Sequence, residues 1–371
     1  MLELVRRLDP ARYQPLVVTP SDIKYEGLLS QALTQAGVRH QTMDIPVLRR
    51  RYLSAIGMTR FLYRLSAGTS RLQRCIKQEN IALVHSNTSA VWGGALAARR
   101  SQIPHLWHVH EIITRPTAVR KAMTWMVSNY SDHVVAISHA VAKHLLAEQP
   151  RLEQRLSIIY DAVDTERFRP DIDAKELRSE WHIDAKEVLV GVVGRISAWK
   201  GQNLFLKAFA NALPSAPGLR AVIVGEAPAG EDWRIEELKV LSEELGIGNK
   251  VVWAGYRTDT PQVMAALDIL VLPSTQPEPF GMVVLEAMST AKPVIATAHG
   301  GPLETIVEGE TGFLVSTSDP SGMANVLQNL ANNAHLRLHL GEKARQRVAQ
   351  NFTYDQHVNA FGELYEKLRI Q

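Results

Sequence analysis

Between residues 277 and 301 the chain reads PEPFGMVVLEAMSTAKPVIATAHGG, and this stretch narrows the fold more than any other. Pro279, Phe280 and Gly281 break the chain, and MVVLEAM then reads as an apolar helix. Residues 292–297 read as a short buried strand, closed by Gly300-Gly301. An apolar helix that returns at once to an apolar strand belongs in a sheet covered by helices. The stretch also carries two carboxylates with seven residues between them. Glu278 falls in the loop before the helix and Glu286 about one and a half turns inside it.

The same alternation runs along the first half. Residues 1–8 read as a helix with Leu2, Val5 and Leu8 on one face, followed by a strand over 16–19 and a helix over 28–36 ended by Gly37. Strands are expected over 81–85, 105–109 and 133–137, with helices over 89–100, 118–130 and 140–148. Residues 160–165 are polar punctuation before a second series. That series has a strand at 188–193, a strand with its crevice loop at 222–226 and another such segment at 251–257, a helix starting at Asp319, and a last helix over 354–368. The pattern predicts an α/β protein with parallel sheets covered on both faces.

At 371 residues the chain is long enough for two cores. Its single cysteine, Cys75, excludes an internal disulfide and suits a reducing compartment. No apolar run reaches the roughly 18–20 residues of a membrane span, and MLELVRRLDP has no signal-peptide apolar region. The net charge of +3 is unevenly spread. Residues 1–170 hold 23 Lys/Arg against 13 Asp/Glu, a balance of +10, and the remainder holds 18 against 25, a balance of −7. The first half therefore points toward an anionic surface or substrate. No nucleic-acid recognition motif accompanies the charge, so no nucleic-acid partner is expected. The excess concentrates between Asp44 and Glu79, where Arg49, Arg50, Arg51, Arg60, Arg64, Arg71, Arg74 and Lys77 meet no acidic residue. Leu53, Ile56, Phe61, Leu62 and Leu65 interleave them. Two readings stand: contact with anionic lipid through 49–77, or a solvated helix whose arginine stems cover apolar surface.

A helix start after a glycine-containing loop offers free backbone N–H groups to an anion such as a diphosphate. A carboxylate accepts paired hydrogen bonds from vicinal hydroxyls of a sugar or ribose. Taken singly, Glu278 reads as a solvated loop residue and Glu286 as a helix-face charge. Their shared apolar context favours a pocket instead. Gly194-Arg195 follows the strand 188–193, and Lys200-Gly201 opens the next helix. Two cations on one strand-to-helix loop can neutralise a diphosphate leaving group. In HLWHVHE, residues 105–111, His108 and His110 share a face, but no third ligand at metal-site spacing follows, and no metal is expected. Ser138 sits where a helix N-cap belongs.

The Glu–seven residues–Glu stretch resembles the motif of retaining, nucleotide-sugar-dependent glycosyltransferases of family 4. DAVDTERFRP at 161–170, GVVGRISAWKGQNLFLKAF at 191–209, ALDILVLPS at 266–274 and GGPLETIVEGETGFLV at 301–315 extend the resemblance over nearly the whole chain. It implies the GT-B fold, two Rossmann-like doubly wound parallel-sheet domains facing a cleft. The acceptor-binding domain would be 1–162, the nucleotide-sugar domain 163–352, and 353–371 a helix crossing back to the first. It further implies a retaining, metal-independent transfer with no cofactor, from a UDP-, GDP- or ADP-sugar to a glycan, lipid-linked or other hydroxyl. Arg195 and Lys200 would stabilise the diphosphate, Glu278 would hold the sugar with the backbone of Phe280, Gly281 and Met282, and Glu286 the ribose. Gly194 would line the donor site, Tyr256 and Arg257 the base, and His110 and Ser138 the acceptor side. Family chains usually open with a strand and Gly-rich loop ahead of the helix found at 1–8, and the missing first strand puts activity in question. Asp161 replaces a frequent Asn. The implied setting is cytoplasmic, peripheral on the inner membrane face, in cell-surface polysaccharide or glycolipid synthesis. A nucleotide-sugar epimerase and a non-catalytic sugar-nucleotide-binding protein are the rivals.

Overall fold

The computed structural model describes residues 1–21 and 26–370, and the side chains of residues 26–28, 50 and 370 lie outside that description. The chain forms two compact units, 1–160 with 354–371 and 161–353. In the first unit β1 (Val17–Pro20) pairs in parallel with β2 (His40–Met43). A separate four-stranded parallel sheet runs in chain order: β3 (Val84–Ser86), β4 (His105–Val109), β5 (His133–Ala136) and β6 (Leu156–Ile158). β4 and β5 are buried along their whole length, as expected for strands covered on both faces.

Each face of that sheet has its own cover. The helices Leu2–Arg7 and Tyr354–Ile370 pack Leu4, Leu8, Phe361, Leu364 and Leu368 against Leu106 and Val135. Tyr13 ties them together by donating to the Gly362 carbonyl at 3.1 Å and to Glu366 at 3.0 Å. A second cluster joins Leu72 and Ile76 of the helix Ala55–Gln78 with Ala97 and with Val18 and Met43 of the β1–β2 pair.

The second unit is one six-stranded parallel sheet. Its strands are β7 (Val188–Val193), β8 (Leu219–Val224), β9 (Val251–Gly255), β10 (Ile269–Leu272), β11 (Val294–Thr297) and β12 (Gly312–Val315). The order β12-β11-β10-β7-β8-β9 reverses direction between β7 and β10. A ligand crevice in such a sheet opens beyond the carboxyl ends of the two strands at that reversal. The core centres on Phe205, Phe209, Leu327 and Leu330 packed over the β7 and β8 side chains.

Several expected boundaries shift. The strand expected over 81–85 is Val84–Ser86, and the helix expected from Ser89 begins at Gly93. The cause of the second shift is Glu111, whose carboxylate accepts from Thr88 Oγ1, from Ser89 N at 3.2 Å and from Ser89 Oγ at 2.9 Å. Those bonds satisfy the backbone locally and hold it out of the helix. In the segment 251–257 the strand ends at Gly255, whose φ of +63° turns the chain.

Candidate active site

Three loops at the carboxyl ends of β7, β10 and β11 lock together through their backbones. Gly201 (φ +72°) passes so near Pro273 that a Cβ would lie 1.9 Å from its carbonyl oxygen. Thr275 N donates to the Trp199 carbonyl at 2.8 Å, fixing the loop after β7 to the loop after β10. Gly301 N donates to the Glu278 carbonyl at 2.8 Å, and a Cβ on Gly300 (φ +79°) would sit 2.2 Å from that oxygen. The glycine doublet is thus the backbone cradle for Glu278.

Within this frame the Glu278 carboxylate, 7% exposed, receives Lys200 Nζ at 2.8 Å and Ser274 Oγ at 2.9 Å. Both donors reach the same oxygen, Oε2. Lys200 also lies 4.4 Å from the centroid of the Trp199 ring. Arg195 is exposed and has no ion-pair partner among the described residues; its carbonyl accepts from Gln202 Nε2 at 3.0 Å. Gly194, with φ +143°, leads into this loop. The helix Met282–Ser289 starts from Gly281 (φ +88°), with Phe280 buried beneath it, so the first N–H groups carry no side-chain cap.

Glu286 faces inward from that helix. Among the described residues its carboxylate meets no hydrogen-bond donor. Burial pushes its pKa up to about 7, with Arg167 pulling it partly back. Tyr256 is 65% exposed beyond β9. Arg257 is committed elsewhere: its guanidinium grips Asp259 at 2.8 and 2.6 Å and Glu180 at 2.7 Å, 6.0 Å from the Trp181 ring centroid.

The first unit places His110 at the end of β4. Its Nε2 lies 3.4 Å from Asn87 Oδ1, and His108 Nδ1 lies 3.1 Å from the same oxygen. Both rings thus turn a nitrogen toward one amide oxygen, and their centroids are 4.1 Å apart. His108 is driven far below the usual histidine range, first by burial and then by its histidine neighbours His110, His85 and His357. Ser138 caps the helix His139–Glu148 by accepting from Val141 N at 3.0 Å, the role its position suggests.

Sequence reading missed Ser274 and Asn87. Ser274 closes ALDILVLPS at the end of β10, four residues before Glu278, and that placement was its available signal. Asn87 had none, since its neighbours on β3 are not distinctive.

The family model described as Glycosyltransferase Family 4 matches residues 1–167, and the one described as Glycosyl transferases group 1 matches residues 173–347. The lipopolysaccharide core biosynthesis mannosyltransferase LpsB of Rhizobium meliloti (strain 1021) is 29% identical over 239 residues, 64% of this chain and 66% of that protein. A D-inositol 3-phosphate glycosyltransferase of Corynebacterium jeikeium (strain K411) is 34% identical over 219 residues, 57% of this chain and 52% of that one. The chain thus spans about half to two thirds of these relatives' length. Among solved structures, HepE of Anabaena in complex with UDP and glucose superimposes with a TM-score of 0.83 at 25% identity, covering 98% of this chain and 94% of that one. The paired Rossmann-like parallel sheets are the GT-B architecture. The chain belongs to glycosyltransferase family 4.

Proposed function

We propose that the protein transfers a sugar from a nucleotide-sugar donor to an acceptor hydroxyl in glycan or glycolipid synthesis, with retention of anomeric configuration. The observation that carries this reading is the Lys200–Glu278 pair at the reversal point of the second sheet, with the exposed Arg195 on the same loop as Lys200. Arg195 and Lys200 neutralise the diphosphate as the bond from the anomeric carbon to its phosphate oxygen breaks. A new bond from that carbon to the acceptor oxygen forms on the same face, and the acceptor proton passes to the departing phosphate. Glu278 accepts from donor sugar hydroxyls, and the N–H groups at Phe280, Gly281 and Met282 face the donor. Gly194 lets the backbone approach it, Glu286 accepts from the ribose, and Tyr256 lies against the base while Arg257 braces the loop beneath. His110 serves the acceptor side, with Ser138 shaping the strand end behind it. The reaction so drawn calls on no metal, because two side-chain cations meet the charge that develops. HepE is crystallised with UDP and with UDP-glucose, which favours a UDP-sugar here over a GDP- or ADP-sugar.

The test is calorimetric titration with UDP, GDP and ADP beside a Glu286→Ala variant. One nucleotide should bind, at least tenfold more weakly in the variant. A folded protein that binds none of the three removes the donor site. An epimerase would convert its nucleotide-sugar with no acceptor present, and a non-catalytic protein would bind without turnover.

The acceptor is proposed to be lipid-linked and met at an anionic membrane surface through 49–77. The first turns of the helix Ala55–Gln78 turn Ile56 (86% exposed) and Tyr63 (77% exposed) to solvent beside Leu53 and Leu62. Arg60, Arg74 and Lys77 have no ion-pair partner among the described residues, and the local acid, Asp44, is occupied by Arg64 and Arg71. An apolar wedge ringed by unpaired cations suits anionic lipid. No helix among the described residues is long and apolar enough to cross a membrane. Co-sedimentation with phosphatidylcholine vesicles holding 30% phosphatidylglycerol should be salt-sensitive and should fall in Ile56→Ser/Tyr63→Ser. Equal retention by that double variant sinks the docking surface.

A further inference from the structure

We infer that Ser274 is a positioning residue for Glu278, selecting which carboxylate oxygen is left for the donor sugar. The inference rests on the donor-site reading above and adds a residue that reading does not use. Ser274 is 1% exposed, so its hydroxyl cannot exchange partners with bulk water, and it donates to Glu278 Oε2 at 2.9 Å. A buried hydroxyl with a fixed acceptor restricts that acceptor's rotation. The serine is itself held: its carbonyl accepts from Thr297 Oγ1 at 2.5 Å, across from β10 to β11, and Thr297 is equally buried. Lys200 Nζ approaches the same Oε2 at 2.8 Å. One oxygen thus takes both protein donors. Oε1 takes none among the described residues and is not sealed from solvent.

The consequence is a division of labour within one carboxylate. Oε2 is saturated by a neutral donor and a cation, which fixes the torsion of the side chain. Oε1 is presented with its lone pairs open to a hydroxyl. Without the serine, Glu278 keeps its lysine but can rotate about its terminal bond and exchange its two oxygens. A diphosphate arriving beside Lys200 would then compete for the only remaining anchor. Ser274 keeps Glu278 in place while Lys200 turns its remaining N–H bonds to the leaving group.

The experiment compares Ser274→Ala and Ser274→Thr with the wild type, using UDP and UDP-glucose as probes. Binding is read by calorimetry, hydrolytic release of UDP from UDP-glucose, with water as the acceptor, by turnover, and folding by thermal melting. The alanine variant should bind UDP within about twofold of wild type, because the diphosphate cations and Glu286 are untouched. Its affinity for UDP-glucose should fall five- to tenfold and its turnover ten- to thirtyfold. Threonine, which restores the hydroxyl, should recover turnover to within threefold. A crystal structure of the alanine variant should show the Glu278 carboxylate rotated. An alanine variant with wild-type turnover and UDP-glucose affinity overturns the inference. So does an equal loss in both variants accompanied by weakened UDP binding, which marks a purely structural residue. Failure of the wild type to bind UDP, GDP or ADP is a different result, and it removes the donor-site reading itself.

Discussion

Lys200 Nζ and the Glu278 carboxylate, 78 residues apart in the chain, meet at 2.8 Å where the strand order of the second sheet reverses. The pair is largely buried, so each partner depends on the other. Removing one end of such a pair strands a charge and costs about 3–5 kcal/mol. Lys200→Met should therefore lower the melting temperature, and adding Glu278→Gln should restore most of the loss by replacing the stranded carboxylate with an amide. The functional effect should not recover. Loss of one positioned cation costs about 10²–10³ in turnover, so the stable double variant should stay inactive. Thermal melts and turnover on the same three samples separate the two effects, and a stable double variant with normal turnover would exclude Lys200 from the reaction.

Glu286 should make nucleotide binding pH-dependent in a direction that can be stated in advance. Its carboxyl titrates near pH 7 in the folded protein against a reference value of 4.5. Above pH 7 the folded state must hold a buried charge, so this group makes the protein less stable as pH rises from about 4.5 through 7, by up to about 3 kcal/mol. Ribose hydroxyls donate to the ionised form, so UDP should bind more tightly as pH climbs from 6 to 8. Binding at pH 6.5 should release a proton, measurable by titration in buffers of different ionisation enthalpy. Glu286→Gln should lower the proton release to the part that the terminal phosphate of UDP, with a second pKa of about 6, gives up on meeting the cations. A wild type that releases no more than this variant has a different ribose partner.

Strands buried on both faces were legible because unbroken apolar, β-branched runs have few other uses; β4 and β7 match their expected limits at both ends. β2, with His40-Gln41-Thr42-Met43, and the three-residue β6 carry no comparable pattern and were not read. The helix Ala334–Asn351 was missed for a related reason. It buries only Leu340, Gly341, Ala344 and Val348, too narrow a stripe to show as periodicity. At the candidate site, Glu278, Lys200 and the glycine doublet stood out as separate signals, but the single oxygen on which Lys200 and Ser274 converge is set by tertiary packing. Arg257 shows the limit from the other side. The family resemblance set it beside the base, and only the fold shows Asp259 and Glu180 holding it.

The first unit should weaken in acid through its buried histidines. His105 is almost fully buried, with Nε2 2.9 Å from Ser86 Oγ, and a backbone hydrogen bond toward Tyr130 offsets only part of the cost of burying its charged form. Burial holds its pKa down to about 3, against 6.5 when free. The unfolded chain therefore binds a proton that the folded one refuses. Stability present above pH 6.5 is lost as pH falls toward 3, about 2 kcal/mol of it by pH 5. His108 adds to the loss in the same direction. Amide hydrogen exchange over residues 105–109 should speed up at pH 5 relative to pH 7 once the intrinsic rate is corrected. His105→Asn should shrink that difference to the part that His108 contributes, whatever it does to stability at pH 7.

The glycine cradle gives the most direct test of the site's geometry. Gly300 sits at φ +79°, and a Cβ there would meet the Glu278 carbonyl oxygen at 2.2 Å and its nitrogen at 2.7 Å. Both contacts are with backbone, which cannot swing aside as a side chain can. Left-handed strain alone costs about 1–2 kcal/mol for a non-glycine residue, and the overlap adds to it. Gly300→Ala should therefore push the loop carrying Glu278 away from Lys200, weakening UDP-glucose binding more than tenfold along with a lower melting temperature. Gly230 is the control: its φ of +83° is similar, but a Cβ there meets nothing within 4 Å. Gly230→Ala should show the strain cost and leave UDP-glucose affinity unchanged. Equal losses in the two variants would mean that backbone strain, not the cradle under Glu278, accounts for the effect.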